Sequence, residues 1–195
     1  TAAGSLYETD MRLRPSGRAG PVATSIEAFE SYHCNDAWTW ELMALTRFRV
    51  VAGDAQLGAR AYNLAERMIS NPRQPDSIDA DVLDMRQRLS RDKPPKSSWD
   101  LKQRSGGIVD LEFIVQHAML QARDAACWHP AIADAIDALE TKNVLNAEEA
   151  ETLRIGRDRL QALQQIQRLA HGAEASESPA SDGLKERLAR AIGCS

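Results

Sequence analysis

The sequence predicts a mainly α protein: an antiparallel bundle of seven or eight helices, preceded by a residual strand or hairpin. Apolar residues recur at three- and four-residue spacing from about residue 24 to residue 192. Most links between these stretches are short, which favours antiparallel neighbours. Period-two alternation is confined to one stretch near the start, Leu6 to Arg14.

At 195 residues the chain is expected to form one domain, or one and a fraction, with a core of useful size. Its 11 Gly and 8 Pro are too few for a low-complexity chain. Lys and Arg number 24 against 28 Asp and Glu, and a pI near 5.6 argues against a general nucleic-acid binder, which would carry a basic stripe. No apolar run approaches the roughly 20 residues that span a bilayer, and charges at Glu8, Asp10, Arg12, Arg14 and Arg18 replace the apolar core of a secretory signal. Cys34, Cys127 and Cys194 are odd in number, far apart and form no C-x-x-C. Neither a disulfide framework nor a zinc ribbon is supported, and a cytoplasmic location is expected.

Leu6 to Arg14 sorts into Glu8, Asp10, Arg12 and Arg14 on one face and Tyr7, Thr9, Met11 and Leu13 on the other, as in a strand. Pro15, Ser16, Gly17 and Gly20 make a turn-rich link, after which Pro21 to Ala23 can pair back as a short second strand. A lone strand or hairpin needs a layer to cover its inner face. With a first residue other than Met, this one is expected to close a mixed α/β domain lying mostly upstream.

Thr24-Ser25-Ile26-Glu27 carries a capping-box signature for a first helix ending near His33. A second is expected from Asp36 to Val50, striped by Trp38, Leu42, Leu45 and Arg49 and closed by Gly53. Trp38 and Trp40 are two apart and so on different faces, one in the core and the other free to pack on a neighbouring domain. Leu57, Ala61, Leu64 and Met68 stripe a third helix, and Pro72 and Pro75 break it before a fourth holding Ile78, Val82, Met85 and Leu89. Lys93 to Gly107 is a long connection of the kind that often carries function. Ile108 to about Ala125 is the most apolar helix and is expected at the centre. Pro130 opens a short helix to Glu140, and Asn146 to Glu149 caps a long one to about His171. After the small, polar stretch Ala173 to Asp182, a last helix runs from Gly183 to Ile192.

Nucleotidyl transfer places an in-line attack on a phosphoryl group, stabilised by two metal ions that carboxylates hold. An Asp on a strand with arginines on the same face can meet metal and phosphate together, and Asp10 with Arg12 and Arg14 offers that face. The same alternation also describes the solvated side of a sheet edge. Asp110 and Glu112 fall in the first turn of the central helix, where carboxylates favour the positive end of the helix dipole. Lys102, Gly106 and Gly107 precede them in a loop whose backbone can approach a phosphate or a partner. The four scattered His lack zinc-site spacing and read as structural or solvated.

The run Tyr7-Glu8-Thr9-Asp10-Met11-Arg12-Leu13-Arg14-Pro15-Ser16-Gly17-Arg18-Ala19-Gly20 resembles a signature of the glutamine synthetase adenylyltransferases. Thr24 to Phe29, Ala37-Trp38-Thr39-Trp40-Glu41, Ala44 to Asp54, Asp100 to Gln103 and Gly106 to Phe113 resemble that family's next blocks, in the same order. The resemblance is dense from residue 6 to about 120 and thin beyond. It implies a bifunctional enzyme with two similar units, and the Ala-Trp-Thr-Trp-Glu block is similar to the second, which attaches AMP.

The implied layout is the end of a polymerase-β-like nucleotidyltransferase domain at residues 1–24 and a helical bundle domain at 25–195. Asp10 resembles the third metal-site carboxylate, which would bind the catalytic Mg²⁺ and help deprotonate the attacking hydroxyl; Arg12, Arg14 and Lys102 would face the nucleotide. Gly106, Gly107, Asp110 and Glu112 would meet substrate or the catalytic domain. ATP and a tyrosine hydroxyl of glutamine synthetase are the implied substrates, and a PII signalling protein the implied regulator. The family's upstream Gly-Ser turn and Asp-x-Asp pair are missing from this stretch, so the chain alone is expected to be inactive. The alternatives are the helical domain of a PII-protein uridylyltransferase, not expected to carry the Ala-Trp-Thr-Trp-Glu block, and a non-catalytic helical interaction module.

Overall fold

A computed structural model of the chain describes residues 20–72, 74–171, 182–191 and 193. The described residues form eight α-helices: α1 (Ile26–Asn35), α2 (Thr39–Leu45), α3 (Ala55–Ser70), α4 (Ile78–Asp92), α5 (Ile108–Ala122), α6 (Ile132–Thr141), α7 (Ala147–His171) and α8 (Asp182–Ala191). The bundle is the architecture that the helical periodicity predicts. Leu6 to Arg14 lies outside the described residues. Pro21 to Ala23, proposed above as its pairing partner, is bent and not a strand. Pro21 has no amide hydrogen to give to a ladder.

α5 is central, packing against α2, α3, α4, α6 and α7. Val115, Met119 and Leu120 on it are buried together with Ile69, Ile78, Ile136 and Leu139 from its neighbours. Each such aliphatic side chain withdraws enough apolar surface to contribute about 1.5–3 kcal/mol. α7 continues past α5 and α6 to receive α8, whose Leu188 is buried. The 93–107 connection is tied to α7 where Gln167 Nε2 donates to the Trp99 carbonyl at 3.0 Å.

Local chemistry sets the helix ends. Asn146 and Glu149 exchange both bonds of a capping box at 2.9 Å, as their spacing predicts. At α1 the cap falls on Ser25, whose Oγ accepts the Ala28 amide at 3.1 Å. Glu27 is then one position too early to close the box, and it pairs with Arg60 of α3 at 3.0 Å. α5 stops at Ala122 because Arg123 turns left-handed (φ 49°), and α6 begins at Ile132, two residues after Pro130.

α2 departs most from expectation, spanning seven residues where fifteen were predicted from Asp36 to Val50. Glu41 accepts the Trp38 amide at 2.9 Å, which makes Trp38 the residue before the helix. Thr46 ends it by donating its hydroxyl to the Met43 carbonyl at 2.6 Å, and Phe48 to Gly53 continues without helix. Gly53, with φ +114°, turns this non-helical stretch into α3, whose cap is Asp54.

The tryptophans are corrected with it. Trp38 is 70% and Trp40 42% exposed, so neither is core. Their two-residue spacing carried a face argument only if both were helical, and Trp38 is not. The buried indole is Trp128, which packs on Tyr62 at 4.6 Å and donates Nε1–H to the Thr46 carbonyl at 2.7 Å.

Candidate functional site

The loop before α5 is organised by one buried carboxylate. Asp100 accepts the amides of Lys96, Lys102 and Gln103 at 3.1 to 3.2 Å. The chain then doubles back so closely that a Cβ on Gly107 would lie 2.5 Å from the Leu101 carbonyl oxygen and 2.8 Å from that of Arg104. Ile108 and Val109 donate their amides to the Leu101 and Lys102 carbonyls at 2.9 and 3.2 Å. Gly106, at φ +73°, donates to Asp110 Oδ2 at 2.6 Å. Asp110 also receives Arg86 of α4, which in turn reaches the Gln103 carbonyl at 3.4 Å.

These amides at the head of α5 are therefore taken up by the chain's own carbonyls and by Asp110. Asp110, in the first turn of α5, accepts the Gly106 amide just ahead of the Gly107 cap, where its charge faces the positive end of the helix dipole, while Lys102 stays exposed. Glu112, two residues further along α5, reaches Arg47 at 3.5 Å. Asp10, Arg12 and Arg14 lie outside the described residues.

Glu112 opens onto a groove of about 1010 Å³ between α1, the α2–α3 connection and α5. Its deeper wall is Phe29, His33, Met43, Leu45, Phe113 and Gln116; its rim holds Val22, Trp40, Arg47, Arg49, Val51 and Leu57. His33 is buried, its Nδ1 has no hydrogen-bond partner, and its ring lies 4.5 Å from Phe29. Burial pushes the imidazole pKa below its ordinary value, against an opposing pull from the Glu41 charge. Glu41 is itself buried, accepting the Tyr32 hydroxyl at 2.7 Å as well as the Trp38 amide. Arg49 makes no ion pair among the described residues.

Sequence reasoning missed this groove, because Arg49 was assigned to a helix that does not extend so far. The signal available was the pair of β-branched residues, Val50 and Val51, just ahead of a glycine. Asp79-Ala80-Asp81 has the Asp-x-Asp spelling but lies in α4. Asp79 accepts His117 Nε2 at 2.6 Å and a bond from Gln121, which hold its carboxyl below the usual range. Asp81 accepts the Ser77 hydroxyl at 3.0 Å and that of Thr39. Both carboxylates thus tie the bundle together. Among the described residues no three His, Cys, Asp or Glu side chains come together in a way that could hold a metal ion, and no helix is long and apolar enough to cross a membrane.

Two protein-family models match the chain. That of glutamate-ammonia ligase adenylyltransferase covers residues 1–64, and that of GlnD PII-uridylyltransferase covers residues 77–195. A bifunctional glutamine synthetase adenylyltransferase/adenylyl-removing enzyme of Xanthobacter autotrophicus is 42% identical over 98% of this chain and 20% of its own length. The enzyme of the same description from Bradyrhizobium diazoefficiens is 42% identical over 96% of the chain and 19% of its own length. That of Brucella suis is 55% identical over 62% of the chain and 12% of its own length. The chain thus spans about a fifth of the length of the curated relatives it matches from end to end.

Proposed function

Because the chain belongs to the glutamine synthetase adenylyltransferase family, we propose that it is the C-terminal part of an adenylylating unit. In this reading residues 1–24 close a polymerase-β-like catalytic domain and residues 25–195 form its helical partner. The whole enzyme, working in the cytoplasm, transfers AMP from ATP to a tyrosine hydroxyl of glutamine synthetase and releases pyrophosphate. The observation that carries this is the ordered series from Tyr7–Gly20 through Ala37–Glu41 to Ala44–Asp54, in a chain that matches such relatives along 98% of its length. The match of residues 77–195 to a PII-uridylyltransferase model supports a PII signalling protein as regulator.

The Asp10 carboxylate is a hard oxygen donor and suits Mg²⁺. One carboxylate falls short of a two-ion site, so Asp10 is one ligand of a set that an Asp-x-Asp pair in the catalytic domain completes, and this chain alone is inactive. Bound Mg²⁺ supplies charge neutralisation at the phosphates. Asp10 also orients the tyrosine hydroxyl and helps to take its proton. Arg12 and Arg14 face the nucleotide from the same side, since alternate strand residues share a face. The exposed Lys102 adds a third cation, through its side chain and not through the loop amides. Gly106, Gly107, Asp110 and Glu112 shape the surface that meets the catalytic domain.

Asp10→Asn in the full-length protein is the test. AMP transfer to glutamine synthetase is expected to fall by about a thousandfold or more, with the melting temperature unchanged. Transfer at the parental rate refutes the reading.

A further inference from the structure

The turn that carries Lys102 is fixed more tightly than an exposed lysine requires. Asp100 at its hub is 4% exposed and makes no ion pair among the described residues. Its Oδ1 accepts the amides of Lys102 and Gln103 at 3.2 and 3.1 Å, and its Oδ2 that of Lys96 at 3.2 Å. Lys102 is held on its other side as well, because its carbonyl accepts the Val109 amide of α5 at 3.2 Å. Two further helices pin the same turn. The buried Gln167 of α7 donates to the Trp99 carbonyl at 3.0 Å, and Arg86 of α4 to the Gln103 carbonyl at 3.4 Å.

What this arrangement leaves outside is the Lys102 side chain, exposed and in no ion pair among the described residues. A lysine that only solvates a surface gains nothing from a fixed backbone, since its flexible four-carbon stem already keeps the ammonium in water. A cation that meets an anion at one place gains directly, because the ordering is complete before the anion arrives. The acid at the hub also matters chemically. A carboxylate turns two acceptor oxygens towards three amides, whereas a carboxamide would set its own N–H₂ against one of them.

We propose that Asp100 is a positioning residue: by gathering the amides of Lys96, Lys102 and Gln103 it fixes the backbone from which Lys102 presents its ammonium to the triphosphate of ATP. The inference rests on the function proposed above, in which Lys102 faces the nucleotide.

The test uses the full-length enzyme, with ATP and glutamine synthetase varied in turn. Lys102→Ala is expected to raise KM for ATP about tenfold, leaving kcat and KM for glutamine synthetase within about twofold. Asp100→Asn is expected to raise KM for ATP about fivefold, and in the Lys102→Ala background to add less than about twofold, because its influence passes through an ammonium already removed. Asp100→Glu, which keeps the charge and moves it by one methylene, is carried through the same cycle, so that the outcome does not hang on the folding of Asp100→Asn. A merely structural Asp100 would lower the melting temperature and the active fraction at the parental KM for ATP, and that result overturns the proposal. So do effects of the Asp100 and Lys102 replacements that multiply, and an unchanged KM for ATP in Lys102→Ala. In each of these cases an inactive Asp10→Asn enzyme would still leave the proposed function standing.

Discussion

His33 gives the groove a measurable pH dependence. Its folded-state pKa lies below the ordinary 6.5, with burial the larger cause and Glu41 opposing it. The unfolded chain therefore binds this proton more readily, so the contribution of His33 to stability is full above about pH 6.5 and drains as pH falls towards the folded value. The melting temperature is expected to drop between about pH 7.5 and about pH 5, and less so in His33→Phe; equal drops in both proteins would contradict this. Other residues were only half legible from sequence. Asp110 and Glu112 could be read as first-turn carboxylates, but not their partners, Arg86 and Arg47, which lie 24 and 65 residues away along the chain. The place of Asp110 in the first turn needed only its helix position, whereas each ion pair needed a distant segment to arrive.

At the scale of elements, the junction of the 93–107 loop with α5 is held by backbone contact. Gly107→Ala puts a methyl carbon against two carbonyl oxygens that belong to the same tight turn, and about 3 kcal/mol of stability is expected to go. Gly106→Ala meets no neighbour and costs about 1 kcal/mol through its positive φ alone. Urea unfolding of the two variants checks the order, and an equal loss would mean that the close approach at Gly107 is not what holds the junction. Caps at Asn146 and Asp54 follow from the residues on either side of them. The shortness of α2 was hidden, because Trp38, Leu42, Leu45 and Arg49 keep a helical spacing although the first and last lie outside the helix. Glu41 and Thr46 end it at each side by hydrogen bonds that periodicity does not register.

At the scale of the whole molecule, core and groove are expected to respond differently to the same truncation. Ile136→Ala empties a site with no solvent exposure and should cost about 2–5 kcal/mol. Trp40→Ala removes a larger side chain from the rim and should cost under about 1 kcal/mol in the chain alone. Denaturation midpoints decide, and a loss at Trp40 matching that at Ile136 would make the rim part of the core. By itself the sequence determined the order of the helices, the central place of the most apolar one and, through its ordered blocks, the family. Those follow from period, capping residues and literal spelling, all of which are local. Only the tertiary structure decided that Trp128 is buried while Trp38 and Trp40 are exposed, that the head of α5 spends its amides internally, and that a groove opens beside Glu112. An apolar stripe says that a face wants cover, and whether it is covered depends on segments brought from elsewhere in the chain.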